Sequence, residues 1–109
     1  MNNVTLIGRI AEPKVMFTKS GTALITFGLA TSRKVNNEEK TTWHNVKAWG
    51  ELAEQFSEVF EKGSRVIVFG ELTQESYTDK EGNERKTIVV TARDGGLALR
   101  YPSKETNDD

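Results

Sequence analysis

Apolar and polar residues alternate with a period of two along most of this chain, and this alternation constrains its fold more than any other feature. Such a pattern places one set of side chains on each face of a β-strand. In the segment 23–30, for example, the odd positions carry Ala, Ile, Phe and Leu. The predicted strands cover residues 3–10, continued at 14–18 after Pro13, then 23–30, 41–49, 65–72 and 85–93.

One segment has a helical pattern instead. Between the third and fourth strands, apolar residues at spacings of four, three and one predict a helix over 51–62, followed by Gly63 as a C-terminal cap. The apolar residues of this stripe are Leu52, Phe56, Val59 and Phe60. Five strands with one helix between the third and fourth is the element order of the OB-fold, a Greek-key barrel. We therefore predict an all-β OB-fold domain over residues 1–102 and a disordered acidic tail over 103–109.

Turn residues and charge predict the connections. Residues 19–21 predict a hairpin turn, and residues 33–40 are interpreted as a charged, Asn-containing loop. An extended polar arm with a turn at 79–83 joins the fourth and fifth strands. Gly8, Gly28 and Gly70 interrupt strands and fit either barrel corners or simple spacers.

Composition excludes several classes of protein. The 109 residues suit one domain, and this length can bury a core without a disulfide or metal. Because cysteine is absent and there is one histidine, Cys/His zinc sites and thiol chemistry are not expected. The chain has neither a membrane-spanning apolar run nor a signal-peptide pattern, which predicts a soluble, intracellular protein.

The predicted third strand carries the residues best suited to bind a ligand. Trp43, Asn45, Lys47 and Trp49 share one face of it, while His44 and Val46 lie on the other. Burying Lys47 without a partner would be costly, so this face makes a poor core. Indole rings can stack on any base and an ammonium can meet a phosphate, which together suit single-stranded nucleic acid without sequence readout. The alternative is that either tryptophan packs in the core.

The other aromatic residues divide by their surroundings. Tyr77 lies on the polar arm, where there is little core to bury it, so it is a further stacking candidate. Phe17 fits either the barrel wall or a ligand contact. The remaining phenylalanines lie on apolar stripes and are predicted to be core residues: Phe27, Phe56, Phe60 and Phe69.

Nothing in the sequence resembles an active site. His44 is predicted to pack or to lie at a subunit interface, because no second His or Cys could complete a metal site. The helix glutamates lie outside the apolar stripe and are interpreted as a solvated face. Gly95-Gly96 is interpreted as a plain turn, since it matches no phosphate-binding signature.

These residues resemble the bacterial-type single-stranded DNA-binding proteins. The resemblance covers residues 1 to about 100, with several motifs in order at the family's spacing. The longer motifs are the runs at 3–9, 29–31, 50–54, 62–64 and 77–82. The shorter ones are the pairs Glu12-Pro13, Ser20-Gly21 and Trp43-His44.

The resemblance implies an OB-fold that assembles as a homotetramer, with a dimer as the alternative, and binds single-stranded DNA in replication, recombination and repair. It implies base stacking on Trp43, Trp49 and Tyr77, with Phe17 near the groove. It further implies basic contacts at Lys62 and Arg85 and a subunit-interface role for His44. The expected protein is non-enzymatic, needs no cofactor and is cytoplasmic and nucleoid-associated.

Three features depart from the family's pattern. The segment 33–40 is short and lacks a further stacking tryptophan, so Arg33 or Lys34 is expected to contribute cation–π contacts there. The arm carries Thr-Gln-Glu-Ser at 73–76, where well-known members are basic, so fewer phosphate contacts are expected. The long linker and partner-recruiting acidic tip are missing, which indicates a truncated chain or a short-tailed phage or plasmid form and leaves recruitment of replication and repair proteins open.

The leading hypothesis is therefore a sequence-nonspecific single-stranded DNA-binding protein that relies on stacking more than on charge. A second hypothesis is a primosome-like adaptor derived from the same family that binds DNA or RNA weakly. A third is an OB-fold module for RNA or oligosaccharide.

The chain has 15 basic and 16 acidic residues and a net charge of −1. This charge argues against binding to nucleic acid only if the positions of the charged residues are ignored. Residues 51–61 hold four acidic and no basic residues, and 103–109 hold three acidic and one basic. The rest of the chain carries +5, from 14 basic and 9 acidic residues. We expect the helix to lie away from the DNA and phosphate attraction to be modest.

Overall fold

The computed structural model describes residues 1–99 and contains five strands and one helix. The elements are β1 (Val4–Phe17), β2 (Ala23–Val35), β3 (Glu38–Trp49), α1 (Gly50–Val59), β4 (Arg65–Thr78) and β5 (Glu84–Leu97). The predicted tail at 103–109 and the domain boundary at 102 lie outside the described residues.

The strands close into a barrel in the order β1-β2-β3-β5-β4. All neighbours pair antiparallel except β3 and β5, which pair in parallel at Val46↔Val90 and Lys47↔Thr91. With the helix between β3 and β4, this is the arrangement expected of an OB-fold, and the predicted fold class is confirmed.

The core of the barrel is formed by the inward-facing side chains, which occupy every second position of each strand. Along β2, the odd positions from Ala23 to Leu29 are buried, and Val46 and Ala48 of β3 meet them. The even positions of β2 and the odd positions of β3 therefore form the outer face.

The helix closes one end of the barrel with aromatic packing. Phe56 of the helix and Phe60, the first residue after the helix, are buried and stack with ring centroids 4.4 Å apart. The ring of Phe27 meets both edge-on, at 6.5 and 5.9 Å. These three phenylalanines are core residues, as predicted.

The prediction was wrong for two other apolar residues. Phe69 of β4 is 42% exposed because it lies on the outer face opposite Thr5. Val59 ends the helix and is 48% exposed, so only part of the predicted apolar stripe faces the core.

The segment 33–40 is not a loop, which corrects a second prediction. β2 and β3 continue as a paired ribbon from Ser32↔Thr41 to Val35↔Glu38. Asn36 and Asn37 alone make the turn, with φ of 52° and 66°, a conformation that Asn tolerates better than most residues. The polar arm is likewise a continuous ribbon of β4 and β5, and Gly95-Gly96 lies within β5 instead of forming a turn.

Pro13 marks a break inside one strand. β1 continues through it, and the pairing with β2 shifts between Ala11 and Lys14. Glu12 takes a φ of 46° at this bulge. Two of the three interrupting glycines, Gly8 and Gly70, are places where a side chain would strike a neighbouring strand.

Gly70→Ala is expected to destabilise the fold by about 1 to 3 kcal/mol. A Cβ at Gly70 would lie 2.2 Å from the carbonyl oxygen of Thr91, at the shift in β4–β5 pairing. Gly96→Ala is the matched control, since a Cβ there meets nothing within 4 Å, and it should change stability by no more than about 1 kcal/mol. Urea unfolding at one protein concentration measures both; equal effects would contradict the close-approach explanation.

Within residues 1–99, no helix has the length and apolar character to cross a membrane.

Candidate nucleic-acid interface

An open groove of about 480 Å³ lies on the outer face of the barrel. Its floor is the outer face of β2 and β3, with Thr26, Gly28, Trp43 and Lys47. One side comes from the bulged part of β1, and the other from the β4–β5 arm, which contributes Glu75, Thr87 and Val89. All five strands thus contribute to one concave surface.

Trp43 presents the largest exposed aromatic surface in the groove. Its side chain is 63% exposed because Trp43 lies on the outer face of β3, opposite to the face that carries the buried Val46. Gly28 on β2 lies beneath it: a Cβ at that glycine would be 3.5 Å from the indole ring. Gly28 therefore leaves the indole lying close against the sheet, with its other face open for stacking.

Lys47 lies on the same face and has a partner that the sequence did not reveal. Its Nζ donates to Glu75 Oε1 of the arm at 2.7 Å. This ion pair explains how Lys47 is tolerated in a half-buried position. It also means that the expected phosphate-binding cation is already engaged with a carboxylate.

The other predicted aromatics do not line this groove. Trp49 shares the face of Trp43 but lies six residues further along β3, roughly 20 Å away at about 3.3 Å per residue. Tyr77 is exposed on the arm, two residues beyond Glu75 and on the same face of β4. Phe17 ends β1 in register with the inward-facing Ala23 and is 68% exposed. Trp43, Trp49 and Tyr77 are thus separate exposed platforms.

Arg33 and Lys34 lie on opposite faces of the β2–β3 ribbon. Lys34 pairs with Glu39 and lies on the same face of the ribbon as Trp43, whereas Arg33 pairs with Lys40 on the other face. Of the two residues, Lys34 is therefore the one that can assist Trp43.

The two basic residues implied by the resemblance also differ in setting. Arg85 donates from Nε to Asp79 Oδ2 at 2.9 Å and lies directly opposite Tyr77 in the arm. Lys62 is exposed in the connection after α1, next to Gly63, whose N–H donates to Ile10 of β1.

Lys14 is a groove residue that sequence reasoning missed. Strict alternation from the buried Ile10 would point Lys14 inward, but the bulge shifts its parity. It pairs with Thr26, which pairs with Lys47, so two lysines flank one threonine on the groove face. The Glu12-Pro13 dipeptide was the signal for this break.

His44 lies on the inward-facing side of β3, opposite Leu29, and is half-buried. Its Nε2 is 2.9 Å from the hydroxyl of Thr31, a hydrogen bond within the chain. Among the described residues, no group of three or more His, Cys, Asp or Glu side chains could hold a metal.

The acidic helix is separate from the groove. Its glutamates are exposed, as predicted, and no described residue of α1 is among the groove-lining residues. The helix charges therefore lie outside the surface that carries Trp43.

The turn of the arm should weaken in acid. Arg85 and the backbone N–H groups of Asn83 and Glu81 hydrogen-bond to Asp79, and these bonds lower the pKa of its carboxyl below the ordinary 3.8. A lowered pKa means that the carboxylate stabilises the fold at pH above 3.8 and that this stability is lost as the pH falls through the folded pKa. The Asn83 amide should therefore be less protected against hydrogen exchange at a pH below the folded pKa of Asp79.

Asp79→Asn should abolish that pH dependence, whereas Glu81→Gln changes a charge on the same turn without touching Arg85 and should preserve it. An Asn83 amide whose protection has the same pH profile in the Asp79→Asn variant would contradict this account.

Comparisons with known proteins agree with this geometry. The model of the Single-strand binding protein family matches residues 1–97. Single-stranded DNA-binding protein 1 of Xylella fastidiosa (strain 9a5c) is 39% identical over 101 residues, covering 86% of this chain and 74% of that protein. Single-stranded DNA-binding protein of Mycobacterium leprae (strain TN) is 32% identical over 112 aligned positions, covering 95% of this chain and 67% of that protein.

The single-stranded DNA-binding protein of Corynebacterium glutamicum is 36% identical over 107 residues, and the match covers 48% of that protein, about half its length. The family match covers every strand of the barrel and the groove they form. The chain therefore belongs to the single-strand binding protein family.

Proposed function

We propose that this chain binds single-stranded DNA without reading its sequence, by stacking bases on exposed aromatic rings and placing phosphates near groove lysines. The observation that carries the proposal is Trp43, whose ring lies over Gly28 with its outer face open to the groove beside Lys47. Stacking on an indole needs only the π-face that every base has.

Stacking supplies the larger part of the expected affinity. Each stacked base contributes about 1 to 3 kcal/mol by alanine substitution. Trp43, Trp49 and Tyr77 are exposed on the strands that form the groove and the arm. Three such platforms give a gross contribution of roughly 3 to 9 kcal/mol before the cost of ordering the strand.

Phosphate contacts supply a smaller, salt-dependent part. The groove cations are Lys14 and Lys47, and the second of these is paired with Glu75. Each neutralised phosphate adds about −0.7 to the slope of log affinity against log salt. The few available cations therefore favour a shallow slope.

We further propose that the chain assembles as a homotetramer and acts on exposed DNA strands during replication, recombination and repair, in the cytoplasm near the nucleoid. Family membership supports this assembly and this setting. A mass measurement in solution tests the assembly. A stable dimer with weak DNA binding would favour the adaptor hypothesis instead.

Titration with a dT oligonucleotide at low salt, followed by tryptophan fluorescence, tests the function. We expect quenching, because bases stacked on Trp43 change the environment of the indole, and we expect oligo-dC to compete while duplex DNA does not. Oligo-U as a second competitor distinguishes an RNA-binding module. Absence of quenching and of binding at low salt would refute the proposal.

A further inference from the structure

The ion pair between Lys47 and Glu75 adds a side-chain contact between β3 and the arm, next to the short stretch where β3 pairs with β5. β3 pairs with β5 at Val46↔Val90 and Lys47↔Thr91, and the arm continues from there as a ribbon of β4 and β5. Glu75 lies on β4, four residues further toward the tip than Glu71, the partner of Thr91. Within residues 1–99, the Lys47–Glu75 contact is the only side-chain hydrogen bond or ion pair between β3 and the arm.

The contact occupies the cation that a bound strand would use. Lys47 and Glu75 both line the groove that contains Trp43. Trp43 and Lys47 share one face of β3 with one outward residue between them, roughly 13 Å apart at about 3.3 Å per residue. A strand with a base stacked on Trp43 can therefore place the phosphate of a neighbouring nucleotide at Lys47. Glu75 presents the same chemistry as a phosphate to that ammonium, namely an anionic oxygen 2.7 Å from Nζ.

We propose that Glu75 is a positioning residue that competes with the DNA phosphate for Lys47. In the unbound chain, the carboxylate holds Lys47 and draws the arm toward the groove. On binding, a phosphate replaces the carboxylate on Lys47, and Glu75 is released into solvent. This inference rests on the proposed function.

The exposure of the pair permits the exchange. The side chains of Lys47 and Glu75 are 27% and 39% exposed, so solvent and a strand can reach both. Ion pairs of this kind are weak, and one can be replaced by another anion without leaving a buried charge. Arg85 and Asp79 differ, because their contact is part of a turn held by two further hydrogen bonds to the same carboxylate.

Glu75→Gln tests the exchange because it removes the charge and keeps the shape of the side chain. We expect dT binding about two- to five-fold tighter at low salt, the range that corresponds to loss of one exposed ion pair. The salt slope should steepen by up to about 0.7, because binding no longer frees a carboxylate that takes up a cation and so offsets the counterion released from the phosphate.

Glu84→Gln is the matched control. Glu84 is exposed on the same arm, pairs with Thr78 and lies on the face opposite that of Glu75, so its substitution changes the net charge equally. It should leave the salt slope unchanged and increase affinity less than Glu75→Gln.

A double-mutant cycle separates occupation of Lys47 from general repulsion of DNA by the carboxylate. In a Lys47→Gln background, Glu75→Gln should no longer tighten binding or steepen the slope. A gain that persists in that background, or a Glu75→Gln variant that matches Glu84→Gln, would overturn the exchange while leaving the proposed function intact. Failure of the unsubstituted chain to bind dT at low salt would overturn both.

Discussion

Trp43→Ala is expected to weaken binding of a dT oligonucleotide by about 1 to 3 kcal/mol, or roughly five- to 150-fold. The indole is 63% exposed and contributes little to the core, so the loss should appear in affinity and not in stability. Equilibrium titration followed by anisotropy of a labelled oligonucleotide measures the affinity, and urea unfolding measures the stability.

Trp43→Phe is the control for this substitution, because it keeps an aromatic face over Gly28 and should retain most of the affinity. Oligo-dT and oligo-dC should be affected alike by both substitutions, since stacking does not depend on base identity. A Trp43→Ala variant that binds as tightly as the unsubstituted chain would show that the groove is not the stacking surface.

Phe56→Ala is expected to lower the free energy of unfolding by about 3 to 5 kcal/mol. Its ring is buried, stacks on Phe60 and meets Phe27 edge-on, and a Cβ on Gly95 would lie 2.9 Å from it. No neighbour can move far enough to fill the space, because the barrel strands around it are paired. Urea unfolding at fixed protein concentration gives the value.

Val59→Ala is the comparison on the same helix. Val59 is exposed, and alanine favours the helix, so this substitution should change stability by less than about 0.5 kcal/mol. Because domains of this size have about 5 to 15 kcal/mol of total stability, Phe56→Ala should leave a visibly unfolded fraction under mild denaturant. A loss below 1 kcal/mol would contradict the assignment of these rings as the barrel's closure.

Much of the fold is predictable because the barrel imposes one simple rule on each strand. Every second residue must face a shared core, and that rule is visible from Ala23 to Leu29. The helix follows a different period, visible in the four-residue spacing of Phe56 and Phe60. The rule fails in the ribbon that turns at Asn36-Asn37, because its residues are polar apart from Val35 and carry no alternation to detect. Phe69 was predicted to be core because it belongs to the apolar run 66–69, but alternation with the buried Val66 and Val68 places it on the outer face.

The candidate site was predictable to a similar extent. The shared face of Trp43 and Lys47 follows from strand parity alone. Lys14 joins them through a bulge, and Glu75 joins them through the pairing of β4 with β5, and neither is encoded in local spacing. The contact of Lys47 with Glu75 joins residues 28 positions apart, so it depends on the pairing of β5 with both β3 and β4.

The salt dependence of dT binding by the unsubstituted chain tests most directly the claim that stacking outweighs charge. If Lys14, Lys34, Lys47 and Lys62 each neutralised one phosphate, the slope of log affinity against log salt would reach about −3 per chain. We expect a shallower slope, with measurable affinity and tryptophan quenching still present at about 1 M salt, where electrostatic attraction is largely screened. A steeper slope, with binding and quenching both lost at that salt concentration, would contradict it.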